Sequence, residues 1–199
     1  MTTPSRTDFD VELSDHGLGP NLPQRIGRLL WAPMLLMALM AFPIGLVLGI
    51  VRANFVTAGD DPSTIAALGH FGPAAMFVGF ASVFAAISFA IARILGVLRT
   101  GGGQVQETAG RTVQTLRTPV TANAFIALMA MAMMVILAGV VGHVIVGATI
   151  LGGDASALAQ TETWAIWLEA VRRIGVAIYL VAIALGLATI IEVLRFQSI

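Results

Sequence analysis

The chain has 199 residues, 57% of them hydrophobic and 11% charged, with a formal net charge of zero. So much apolar surface cannot be enclosed by so small a globule; this argues against a soluble domain and requires lipid to cover the remainder. Balanced charge supplies no field to attract nucleic acid or acidic substrates, and the absence of cysteine excludes disulfides, thiolate iron–sulfur ligation and thiol redox chemistry.

Residues 1–24 are polar, broken by Pro4, Pro20 and Pro23, and carry Asp8, Asp10, Glu12 and Asp15 as an acidic cluster. Such a segment buries too little apolar surface to offset its ordering entropy, so a flexible acidic tail is expected. It does not read as a signal peptide, because the first apolar run starts only at Leu29 and is too long. The remainder, 25–199, is expected to form one membrane domain.

The first span is predicted over 29–51, with Arg25 and Arg28 before it, Trp31 at the interface and a kink at Pro43. In the connector that follows, Asp61-Pro62 has the form of a helix start and Gly69 that of a stop, predicting a short surface helix from Pro62 to Leu68. The second span is predicted over 71–92. Ala75, Gly79, Ser82 and Ala86 recur on one face at three- and four-residue spacing, which lets helix backbones approach closely in lipid.

Residues 100–118 are polar and read as a loop, with Gly101-Gly102-Gly103 as a flexible joint. These glycines lack the Lys-Ser/Thr that follows a phosphate-cradling loop, so no nucleotide site is expected. A weak apolar stripe of Val105, Ala109, Val113 and Leu116 predicts a helix lying on the membrane surface. The third span, 120–151, holds thirty-two residues without a formal charge. At ~1.5 Å per residue it can cross a ~30 Å hydrocarbon core with turns to spare. Asp154 is placed to cap a short helix, Trp164 and Trp167 to anchor at the interface, and the fourth span is predicted over 174–195.

With the amino terminus inside, eight arginines fall near inner span ends and three (Arg52, Arg172 and Arg173) near outer ones. The bias predicts cytoplasmic termini and a cytoplasmic 100–118 loop, with the Arg172-Arg173 pair discordant. An internal repeat is also visible. At an offset of 97, Met34, Met37, Ala41, Gly45 and Val47 match Met131, Met134, Ala138, Gly142 and Val144. At an offset of 96, seven of fourteen positions from Ala86 to Arg99 are identical to those from Ala182 to Arg195. The expected fold is therefore an all-α integral membrane protein, whose four transmembrane helices form two sequence-similar hairpins arranged as a parallel repeat.

The repeat directs attention to residues that break it: His143 opposite Leu46, and Glu192 opposite Gly96. His143 has Gly139 and Gly147 a turn away on its own face and Gly142 beside it, so the imidazole is expected to lie in a bare groove. The groove reads first as a helix-packing surface, with a hydrogen bond from the histidine to a neighbour. The alternative is a haem or metal ligand, with His70 as second ligand, expected a turn or two nearer the outer surface. Glu192, with Arg195 and Arg93 at similar depth, is expected to form an ion pair at the interface. The methionines read as packing residues rather than copper ligands. No catalytic constellation, metal-ligand cluster or dedicated cofactor site is expected.

Three function classes are compatible with this pattern. The favoured one is a non-catalytic multi-pass subunit of the plasma membrane that packs against, stabilises or helps assemble a larger integral-membrane complex. A homo-oligomeric small-solute transporter or channel is the second, and an electron-transfer subunit centred on His143 the third.

Overall fold

The computed structural model describes residues 11–13 and 18–198. Most of the acidic tail lies outside them. The chain runs as β1 (Val11–Leu13), α1 (Leu22–Ala58), α2 (Pro62–Thr108), β2 (Gln114–Leu116), α3 (Val120–Leu151), α4 (Ala155–Ala159) and α5 (Thr161–Gln197). α1, α2, α3 and α5 are each long and apolar enough to cross a bilayer. Four such helices among the described residues make this a multi-pass membrane protein.

α3 matches its predicted span, whereas α1, α2 and α5 extend beyond theirs, because the end signals are weaker than the packing around them. Pro62–Leu68 is not a separate surface helix but the first turns of α2, which passes through Gly69 without stopping. Glycine costs a helix roughly 1 kcal/mol; here Arg52 lies against Gly69, and its Nε donates to the Ile65 carbonyl at 3.3 Å. The triple glycine is likewise helical, within α2. A side chain at Gly102 would collide with Gln197, and one at Gly103 would meet Leu18 at 3.0 Å. These glycines serve close approach rather than hinging. The predicted surface helix over the 100–118 segment is absent: α2 ends at Thr108, and Gln114–Leu116 pairs antiparallel with Val11–Leu13 as β2 with β1.

The helix ends have identifiable chemistry. Asn21 and Gln24 form a reciprocal cap at the start of α1, each backbone N–H meeting the other's side-chain oxygen at 3.0 and 3.3 Å. Gly59, Gly110 and Gly153 alone have positive φ among the described residues, at 71°, 65° and 86°. Each closes a helix in the same way: its N–H bonds the carbonyl three residues back, and the next N–H bonds the carbonyl five back. Asp61 then caps α2, accepting from Ser63 Oγ and from Thr64 N at 3.0 Å. Asp154 caps α4, accepting from Ser156 Oγ at 2.7 Å and Ser156 N at 2.8 Å. The Ser63 and Ser156 hydroxyls, with the amides behind them, hold both carboxyls below the usual range.

The residues group into two compact units. In the first (1–32, 86–129 and 180–199), Ile91, Phe125 and Ala182 form the buried centre. A Cβ at Gly27 would stand 2.6 Å from the Phe89 carbonyl oxygen, so α1 and α2 touch through backbone there. In the second (33–85 and 130–179), Phe42 of α1 fills the notch at Gly79 of α2, where a Cβ would meet its ring at 2.8 Å. Ser82 is buried in this unit. Ala86 is buried in the first, and Ala75 is only partly covered.

Candidate functional site

The second unit contains the buried polar cluster. His70 lies eight residues inside the start of α2, and His143 eight residues before the end of α3. The two helices run antiparallel, with Gly147 against Ala67 and Phe71 and Gly139 against Phe77. Equal depth from a shared end therefore brings the imidazoles level, and their Nδ1 atoms lie 3.0 Å apart. The expected displacement of a turn or two is corrected for a simple reason: α2 starts nine residues before the predicted span, which puts His70 inside the helix. His70 and His143 are only 1% and 3% exposed.

His70 Nε2 faces Thr161 Oγ1 at 3.0 Å, at the first turn of α5, so three helices share one chain of hydrogen bonds. His143 Nε2 is buried without a partner among the described residues. A buried N–H without an acceptor is costlier than a bare lone pair. The assignment that leaves no ring N–H unmet has His143 Nδ1–H donating to His70 Nδ1, and His70 Nε2–H donating to Thr161.

Phe77 meets His143 edge-on, with ring centroids 5.1 Å apart at 75°. The guanidinium of Arg172 lies over the Phe77 ring at 5.0 Å. Arg172 and Arg173 both donate to Glu169 Oε1, Arg173 Nε at 3.1 Å. The discordant arginine pair thus shares one carboxylate. Thr161 and Glu169 were not singled out from the sequence. Glu169 had a usable signal, standing three and four residues before two arginines on one helix; Thr161 had none, because its role depends on where α5 begins.

The groove beside His143 is filled by protein. A Cβ at Gly142 would stand 2.5 Å from Leu168 Cδ2, and one at Gly147 would stand 3.0 Å from the Phe71 ring. At Gly139 it would make ordinary contacts with Phe77 and Val171 at 3.7 Å. Leu168, Phe71 and Phe77 occupy the side of α3 where a porphyrin would have to lie, and His70 is already engaged at both ring nitrogens. These residues do not fit a haem. No group of three potential metal ligands occurs among the described residues.

No protein-family model matches the chain, and no curated protein or solved structure matches it.

In the first unit, Glu192 makes no ion pair with Arg195 or Arg93 among the described residues. Instead Thr189 donates to Thr121 at 3.0 Å, and Thr121 donates to Glu192 at 3.2 Å. Arg93 stacks over Trp31 at 5.2 Å.

Proposed function

We propose that the chain is a non-catalytic, multi-pass subunit that packs against or helps assemble a larger complex of integral membrane proteins in the plasma membrane. The observation that carries this reading is the exposure of α1. Only 17% of its most apolar stretch is buried, the least of the four helices, against 22% for α3, 28% for α5 and 50% for α2. Leu36, Met40, Leu46, Val47 and Ile50 stand exposed along it. Gly49 has open space above it, a notch where another backbone can come close. Alongside this, the buried histidines, the Arg172–Glu169 pair and the Thr189–Thr121–Glu192 chain use one another as partners, as groups that hold helices in register do.

The same proposal includes two further features. The two hairpins descend from one duplicated unit, related by an axis along the membrane normal. This is supported by matched glycines in the second unit: Gly45 of α1 receives Met76 of α2, as Gly142 of α3 receives Leu168 of α5. Gly79 receives Phe42, and Gly175 receives Ile136. Both termini face the cytoplasm, supported by the arginine bias and by the sharing of Glu169 between Arg172 and Arg173.

The test is purification of the full chain from its native membrane in mild detergent, with mass spectrometry of what accompanies it. Integral membrane proteins in fixed stoichiometry are expected, and Ile50→Arg on α1 should release them while the helical signature persists. A homo-oligomer that conducts or transports a solute in vesicles would sink the proposal.

A further inference from the structure

The first unit contains an open cavity of about 140 Å³, bounded by the chain before α1, the end of α2, the start of α3 and the end of α5. Its wall is largely apolar, formed by Leu95, Phe125, Ile126, Val193 and Phe196. Arg99 is the only charged residue among the described residues that line it.

A guanidinium is always ionised and can only donate. Arg99 Nε is buried without an acceptor, and no carboxylate among the described residues pairs with this side chain. Two nearby acceptors are held by other groups: Glu192 accepts from Thr121, and the Gln106 side-chain oxygen accepts from the Gln114 backbone N–H. A guanidinium N–H buried against an apolar wall without an acceptor is a group that an oxyanion can satisfy. Trp31, stacked on Arg93 in the same unit, marks a level at which headgroups are available.

We propose that this cavity binds an anionic membrane lipid, its headgroup oxyanion on Arg99 and an acyl chain against Leu95, Phe125 and Val193. The oxyanion selects charge and the apolar wall selects the chain, so neither part suffices alone. The site is independent of the reading of α1 as a partner surface.

The test uses the full chain in nanodiscs and native mass spectrometry. Phosphatidylglycerol and phosphatidylcholine of identical chains are the lipid probes, and inorganic phosphate is the third. One retained phosphatidylglycerol per chain is expected, with phosphatidylcholine retained about tenfold less. Arg99→Gln should lower phosphatidylglycerol retention about tenfold, whereas Arg28→Gln, at an exposed arginine, should leave it unchanged. Ala122→Leu, which fills part of the cavity, should lower retention of both lipids. Equal retention of the two lipids, or full retention in folded Arg99→Gln, overturns the proposal. Displacement of the lipid by millimolar inorganic phosphate also overturns it, since a free anion would then be the ligand. If Arg99→Gln does not fold, Arg99→Lys decides: it should keep the preference for phosphatidylglycerol, and loss of all preference counts against the site.

Discussion

His70 Nδ1 lies 3.0 Å from His143 Nδ1, joining the first turns of α2 to the last turns of α3, and His70 Nε2 carries the link to Thr161 of α5. One such contact between transmembrane helices is typically worth ~0.6 kcal/mol, rising to ~1.7 kcal/mol. His143→Gln, which keeps a hydrogen-bonding group, is expected to cost no more than ~1 kcal/mol. His70→Leu and His143→Leu should each cost more than the amide change, and the double variant less than their sum. Unfolding in mixed micelles reads the cycle; strict additivity would show that the imidazoles are not coupled.

The glycines should separate by what stands over them. Gly27→Ala places a methyl against a backbone carbonyl that cannot rotate away, and is expected to cost ~1–3 kcal/mol. Gly142→Ala meets the far end of Leu168, which can move, and should cost less. Gly139→Ala meets only ordinary contacts at 3.7 Å, and should be neutral or stabilising by up to ~1 kcal/mol through helix propensity. A destabilised Gly139→Ala in the same unfolding assay would contradict this ranking.

The two connectors should respond to acid in the same direction. Asp61 and Asp154 have carboxyls held below their unfolded value of about 3.9. A depressed pKa contributes stability above the unfolded value and loses it as pH falls through the folded one. Melting temperature should therefore fall below about pH 4, and Asp61→Asn with Asp154→Asn should flatten part of that fall. An unchanged acid limb in the double variant would remove the caps from the account.

Topology can be tested by single-cysteine labelling in a chain that has no cysteine. With both termini cytoplasmic, a cysteine at Asp60 should react with an impermeant reagent added outside intact cells. One at Glu107 should react only after permeabilisation. Reversal of the two patterns would invert the proposed orientation.

The number and identity of the spanning helices were legible in the sequence. Charge-free runs such as 120–151 have few folded alternatives, because every backbone group in lipid must be bonded within its own segment. The caps at Asp61 and Asp154 were legible for a similar reason: the bond between a carboxylate and the amides two and three residues on is local. Where α1, α2 and α5 ended was not legible, although α3 was. Gly69 and Gly101–Gly103 looked like breaks, yet α2 runs through them, with Arg52 over Gly69, Gln197 over Gly102 and Leu18 over Gly103. The meeting of His70 with His143 across seventy-three positions, the shift of Glu192 from arginine to Thr121, and the unpaired Arg99 beside an apolar cavity were likewise decided by the tertiary structure. Each depends on the depth and facing of two different helices. Local sequence sets a helix's period and apolar face, but its register against a neighbour follows from which side chains fill which notches.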